Sequence, residues 1–487
     1  MATQAQAAML TTEAVSAHPT DAKSENKDIE NTKEEVDHSV TDSEDLDLER
    51  WNEPRANAYR YFATIFAFTI MGMNDAAYGA LIPYLETYYN VSYTVISLVF
   101  LAPFIGYSLA AILNNKIHMR FGRLGPAVIG PLCKILCYSV TSARPPYAVL
   151  PVIFAFSGFG IGLLDGAFNA WVGNMEHAND YGLLGFLHGA YGLGATISPL
   201  IATSMVTKGR LSWNTFYFLM IGLAVVELIF CAITFRKATG SQYRAVNPLT
   251  TSVGGHSRTR EALYNPITWI CAFFLFCYVG VEVSLGGWLV TFMLRVRHGG
   301  DFESGMVVMG FWLGITIGRV VLGFVTGRVG EKSAIAAYLL ISVALELCFW
   351  LIPNFISSAV FAGFLGFFLG PLFPAAIIVA TKILPKRLHV SAIGFAAAFG
   401  GGGAALFPFA VGAIAQAKGV QVLQPFALAL IAVILVLWCS LPGGFKKGGL
   451  EASRQNRTTA RESQSTSMWA ERASRWKTRL GLSEWSS

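Results

Sequence analysis

A chain of 487 residues that is 54% hydrophobic and only 14% charged falls well short of the roughly 25% charge of soluble domains. With a mean hydropathy of +0.50 it reads as a polytopic membrane protein. Its net charge of +6 is small and unevenly placed, which implies no nucleic-acid partner, and its seven cysteines lie in apolar stretches without zinc-ligand company, so no metal or other cofactor is expected.

The first 50 residues hold 13 Asp/Glu against four Lys/Arg. Such a stretch cannot bury enough apolar surface to offset its ordering entropy. Residues 1–57 are therefore expected to form a disordered acidic tail, with no secretory signal peptide. From Tyr61 the composition turns apolar. Twelve stretches approach the roughly 20 residues that a helix needs to cross a bilayer: 61–84, 93–114, 124–143, 149–173, 183–206, 214–235, 266–293, 305–326, 333–353, 357–381, 390–413 and 424–441. A polar linker, 236–265, separates a first bundle (58–235) from a second (266–442). The expected fold is an all-α integral membrane protein of 12 transmembrane helices, arranged as two six-helix pseudo-symmetric bundles. The tail from 443 to 487 is basic, with Trp469, Trp476 and Trp485 interspersed; it is either a plain tail or a surface-adsorbing segment at anionic lipid.

Orientation follows from Lys and Arg placement. With both termini cytosolic, the inner loops carry 13 Lys/Arg and the outer loops six. Asn90-Val91-Ser92 then lies outside as a glycosylation sequon, the weakest of these signals.

The two halves echo each other at an offset of 208 residues. Phe66, Gly72, Gly79 and Leu81 recur as Phe274, Gly280, Gly287 and Leu289; Gly106 as Gly314; Arg120 and Gly122 as Arg328 and Gly330; Gly158 and Gly162 as Gly366 and Gly370. Parallel repeats of this kind are a transporter plan with the site at the midplane, and the glycines let helix backbones approach closely.

On these residues the chain resembles the major facilitator superfamily. The family's loop signature appears as Arg120-Phe121-Gly122-Arg123 and again, more fully, as Gly323 to Lys332; Met119 and Gly327 stand at its aspartate position. The fourth helix, Gly160-x-Gly162-x-x-Asp165-x-Ala167-x-Asn169, is similar to the fucose–proton symporter branch, and the tails suggest a fungal bypass-of-stop-codon-type group near it. The resemblance implies a secondary transporter whose loop arginines Arg120, Arg123 and Arg328 latch one face. The first helix departs from that symporter, with Gly79 at its carboxylate position and Asp75 one turn earlier, so fucose specificity does not transfer.

Asp165 interrupts the most apolar run of the chain. A charge in hydrocarbon costs roughly 2.5–3.5 kcal/mol on insertion scales, which is tolerated where it faces a watery path or a partner; the alternative is a protonated or hydrogen-bonded structural aspartate. Asp75 and Glu282 are the other candidate proton-coupling acids, expected to face each other across the cleft. Asn169, His188, Asn74, Tyr78, Tyr191 and Trp288 are candidate substrate contacts, with His188 sharing a layer with Asp165. Arg319 is a candidate gate. A carboxyl group in a site of low dielectric can load and lose a proton during transport. Each of these residues also has a packing role as its alternative reading. No GxxxxGK[ST] loop and no nucleophile–base pair is present, so ATP-driven transport and enzymatic activity are not expected. The expected function is a proton-coupled secondary carrier of a small, sugar-like or metabolite solute, monomeric, in the plasma membrane rather than an internal one. Export of a fungal secondary metabolite or drug is the alternative; a non-transporting nutrient sensor is the alternative of another class.

Overall fold

The structure is a computed structural model that describes residues 49–173, 175–176, 182–246, 260–385, 388–445 and 449. Most of the acidic and basic tails, with the interfacial segment expected near Trp469, lie outside the described residues. Among the described residues there is no strand.

The twelve expected helices are all present. In the first half they are α1 (Arg55–Tyr89), α2 (Leu98–Phe121), α3 (Leu124–Ser142), α4 (Val149–Gly173), α5 (Leu183–Thr207) and α6 (Thr215–Phe235). The second half holds α7 (Pro266–Arg295), α8 (Asp301–Val329), α9 (Glu331–Leu351), α10 (Phe355–Ile383), α11 (His389–Lys418) and α12 (Leu423–Ser440). Eleven are long and apolar enough to cross a membrane. The other, α5, has 25 residues, but its glycines, hydroxyl residues and His188 dilute it. Two differences from expectation have local causes. α1 starts at Arg55, inside the stretch expected to be disordered, because the segment before it is tied down by the bonds described below. α10 is broken at Gly370-Pro371 into Phe355–Leu369 and Leu372–Ile383. Proline at that point donates no N–H to the helix.

The ends are set by ordinary chemistry. Asn265 caps α7, its Oδ1 accepting from Ile267 N at 3.0 Å, with Pro266 in the first turn. Asn90 ends α1 in the left-handed conformation, and Ser92 caps the short helix Tyr93–Ile96 that follows. The signature-loop glycines Gly122 and Gly330 close α2 and α8 at φ of 69° and 106°, where a side chain is strained.

Twelve crossings put the two ends of the described helical chain, before α1 and after α12, on one face, called here the tail face. The 208-residue offset carries α1 onto α7 and each later helix onto its counterpart. Packing repeats with it: α1 on α5 and α7 on α11, α2 on α4 and α8 on α10, α3 on α6 and α9 on α12. The glycines explain the closeness of one such pair. A Cβ on Gly106 would meet the carbonyl oxygen of Ala155, and one on Gly314 would meet that of Gly363, which is the same contact displaced by 208. Behind the site, Lys134 of α3 and Glu227 of α6 form a fully buried ion pair at 2.6 Å. Apolar side chains such as Ile112, Leu136, Ile229, Ile233, Leu340 and Val436 are exposed along the outside, as lipid contact requires.

The halves meet through α1 with α7, α5 with α8, and α2 with α11. These contacts run from mid-membrane to the face opposite the tails. Gly79 backs onto the Gly286 carbonyl, Gly287 onto the Phe100 ring, and Gly412 onto Ser97 and Trp288. Tyr93 N donates to Gln416 Oε1 at 2.8 Å, and Arg295 lies 3.9 Å from Glu86. Toward the tail face, α4 packs on α2 and α3 and α10 on α8 and α9, each within its own half.

Because backbone stands where a methyl group would go, Gly106→Ala and Gly314→Ala should each destabilise the protein by about 1–3 kcal/mol. Gly323→Ala, with open space around it, should leave the unfolding midpoint unchanged or raise it. Thermal unfolding in detergent checks all three.

Candidate functional site

A cavity lies between the halves. Its lining from the first half comes from α1 (Met71, Asp75, Tyr78), α2 (Phe100, Phe104, Tyr107), α4 (Ile161, Asp165) and α5 (Tyr191). The second half contributes Val283, Gly286 and Gly287 of α7, Trp312 of α8, and Gly401, Ala404 and Ala405 of α11. The wall is therefore divided: carboxylates and phenols on one side, glycine, alanine and one indole on the other.

Asp165 is buried, 1% exposed, and is held by two donors. Tyr107 donates its hydroxyl to Oδ2. Asn169, one turn on, donates Nδ2 to Oδ1 at 3.1 Å and to the Asp165 carbonyl at 3.0 Å. Asp75 is held likewise. Tyr191 donates to its Oδ2 at 2.8 Å and Asn74 to its Oδ1 at 3.0 Å. Asn74 is in turn fixed by Tyr138, which donates to its Oδ1 at 3.1 Å, and it donates to the Tyr78 hydroxyl at 3.3 Å. Both acids thus have neutral partners. A carboxyl group bonded this way can exist with or without its proton, whereas one locked to a buried cation is held charged.

The remaining candidates lie elsewhere. His188 sits edge-on to Phe68, ring centres 5.8 Å apart, and the donors that reach Asp165 are Tyr107 and Asn169 instead. Glu282 is fully buried and outside the lining; it lies 3.6 Å from Arg319, whose Nε donates to Gly370 O at the break in α10 at 3.2 Å. Asp75 and Glu282 do not both face the cavity as expected. Trp288 commits its N–H to Pro408 O at 2.9 Å and packs against Tyr93, within the seal between the halves. Arg120 lies over the ring of its neighbour Phe121, and Arg328 is exposed at the end of α8. Asn90 is exposed on the face opposite the tails.

Helix spacing gives the height of a residue in the membrane but not which neighbour it meets, and so it passed over Tyr107. The structure shows what brings it there: a Cβ on Gly162, one turn before Asp165, would touch Tyr107, so the glycine lets α2 and α4 close at that level. Trp312 is the 208-offset partner of Phe104, and both line the cavity.

At the tail face the missing signature acid is supplied from outside the motif. Glu49 accepts from Arg123 at 2.7 Å and from Trp171 Nε1 at 2.8 Å. Arg50 pairs with Glu176 at 2.6 Å, and the Arg50 carbonyl accepts from Asn57 Nδ2 at 3.0 Å. The segment before α1 is thereby clasped to the α2–α3 loop and to the end of α4.

Comparison with known proteins gives consistent relatives. A family model described as Major Facilitator Superfamily matches residues 64–361 and 298–481. Bypass of stop codon protein 6 of Saccharomyces cerevisiae is 31% identical over 409 residues, covering 78% of this chain and 82% of that protein. The glucose/mannose transporter GlcP of Bacillus subtilis is 23% identical over 363 residues, covering 72% and 86%. Among solved structures, a bacterial homologue of the human lysosomal transporter Spinster, inward-facing and occupied, superimposes with a TM-score of 0.59 at 11% identity, covering 78% of this chain and 96% of that one. The Escherichia coli fucose:proton symporter FucP gives 0.53 at 16% identity, covering 78% and 97%. These structural likenesses establish the fold.

The clasp has a pH signature. Burial opposes charge on Glu49, but Arg123, the Trp171 N–H and Arg60 together hold its carboxyl below the usual glutamate value. A depressed folded value adds stability that is complete above the unfolded value of about 4.3 and is lost as pH falls through the folded one. Glu49→Gln should therefore lower the unfolding midpoint at pH 7, by about 1 kcal/mol or less for so exposed a pair. The gap from wild type should close in acid; a gap that persists there contradicts the charge-based clasp.

Proposed function

The chain belongs to the Major Facilitator Superfamily, and we propose that it is a proton-coupled secondary carrier of a small organic solute, with Asp165 as the principal proton site. The observation that carries this is a buried carboxyl group lining a cavity between two repeats and bonded only to neutral donors, Tyr107 and Asn169. Such a group has no fixed counter-charge. When it is protonated, no net charge has to move with the helices. When it is ionised, the charge must stay where water or the two donors can reach it. Protonation can thereby bias which arrangement of the halves is stable, which is what coupling requires.

Asp75, held by Tyr191 and Asn74, is a second carboxyl group of the same kind. Tyr78 and Tyr191, which line the cavity, are the polar groups to meet cargo or proton, and Asn169 acts through its bond to Asp165. The Glu282–Arg319 pair, tied to the break in α10, fits a gate between α7, α8 and α10 better than a proton site. His188 and Trp288 read as packing residues.

The tail face is taken as cytosolic from the excess of Lys and Arg in its loops, and the membrane as the plasma membrane. Contacts between the halves on the opposite side then describe a carrier open to the cytosol, and Arg123 with its Glu49 clasp sits at that opening. The Bacillus subtilis relative carries the name of a glucose/mannose transporter, which supports a sugar-like cargo. Uptake and efflux use the same fold, and the direction of solute-linked proton movement distinguishes them.

A gradient of one pH unit coupled one-to-one is worth about 1.4 kcal/mol, or tenfold accumulation. In proteoliposomes Asp165→Asn should remove that accumulation while leaving exchange of labelled for unlabelled solute. Accumulation that survives the substitution would exclude Asp165 as the proton site.

A further inference from the structure

The second half's wall of the cavity carries an unpaired hydrogen-bond donor. Trp312 is 4% exposed and lines the cavity, and its indole Nε1 has no partner among the described residues. A buried tryptophan N–H normally finds one. The edge in question lies against a lining residue: a Cβ on Gly286 would stand 3.3 Å from Nε1 and closer still to the adjoining ring carbons. Trp288 makes the contrast, because its N–H is satisfied by Pro408.

The groups around the cavity restrict what can meet that donor. The lining includes Asp75 and Asp165 and no Lys, Arg or His. An anionic cargo would bring an acceptor to Trp312 but would face two acids with no cation between them. A plain ammonium would satisfy the acids and leave the indole N–H buried and unmade, at the full penalty of a lost partner. A hydroxyl group both accepts and donates. Beside Trp312, Gly286 and Gly287 are covered by the Trp312 and Phe100 rings, and Gly401, Ala404 and Ala405 are the small residues of that side, so the wall meets a cargo with ring surface and little bulk.

We propose that Trp312 is the cargo contact of the second half, and that it selects a neutral, hydroxyl-bearing ring. One ring oxygen or hydroxyl accepts from Nε1 and the others donate toward Asp75, Asp165 and their tyrosines. This rests on the carrier reading above and adds to it a specificity-determining residue and a charge rule.

The test is equilibrium binding to the purified full chain. The neutral rings are D-glucose, D-mannose, L-fucose and myo-inositol; the charged analogues are D-glucuronate and cyclohexylammonium, whose ring brings no acceptor to Trp312. At least one neutral ring should bind, and about tenfold or more tighter than either charged analogue. Trp312→Phe keeps a flat ring but removes the donor, and should weaken that binding by about tenfold. Gly286→Ala, which displaces the indole edge, should do the same. Unfolding midpoints without ligand show that both variants are folded. Binding of none of the neutral rings, equal binding of a charged analogue, or undiminished binding by a folded Trp312→Phe would each overturn the proposal. Flux separates it from the carrier reading. A ring that binds through Trp312 but never crosses proteoliposomes refutes the carrier alone, and transport of a charged solute in preference to the neutral rings refutes this proposal alone.

Discussion

A carboxyl group inside a bilayer must be neutralised, paired or hydrogen-bonded, and the way each acid here meets that demand determines what it can do. Lys134 and Glu227 are fully buried and 2.6 Å apart, a closed pair that joins α3 to α6 and has no reason to change. Removing one partner of such a pair is strongly destabilising. Glu282 has a cation nearby but no close bond to it, with Arg319 at 3.6 Å and shared with the carbonyl at the α10 break. Asp165 and Asp75 have phenols and amides only. These acids therefore divide into a scaffold pair, a looser pair at a helix break, and two groups with neutral partners only, and only the last two line the cavity; Glu346 of α9, also fully buried, has no hydrogen-bond partner among the described residues.

Duplication explains why the cavity has two unlike walls. The helices of the two halves correspond at one offset, and so do several lining positions: Asp75 with Val283, Tyr78 with Gly286, and Phe104 with Trp312. The backbone positions were kept while the chemistry separated. The first half holds the acids and the phenols that orient them. The second half holds glycines that admit close packing, Gly287 against Phe100 and Gly286 against Trp312. A site assembled in this way has its hydrogen-bonding power on one side and its flat surface on the other.

How far the sequence discloses this depends on range. The twelve helices follow from apolar length, and the repeat from spacing, because both are local or periodic. Helix ends are less legible: α1 extends beyond the expected 61–84 at both ends, since a helix need not stop where the bilayer does. Asp165 and Asp75 stand out because a charge in an apolar run is rare. Their partners do not, because Tyr107 is one phenol among many aromatic residues and its meeting with Asp165 depends on how α2 is rotated against α4. The same ignorance of rotation put His188 beside Asp165 and Trp288 beside the cargo. Glu49 belongs to a tail whose composition signals disorder, and nothing in its neighbours announces that Arg123 and Trp171 wait for a carboxylate.

The central claim is that solute and proton move together. Proteoliposomes with a trapped pH indicator, given neutral sugars and then a fungal metabolite extract across an imposed pH gradient, test it most directly. The account predicts that one of these solutes moves and that lumenal pH changes with it, in proportion and only while the solute is present. Solute flux with no change in lumenal pH would contradict it, making the protein a facilitator and Asp165 a binding or structural acid.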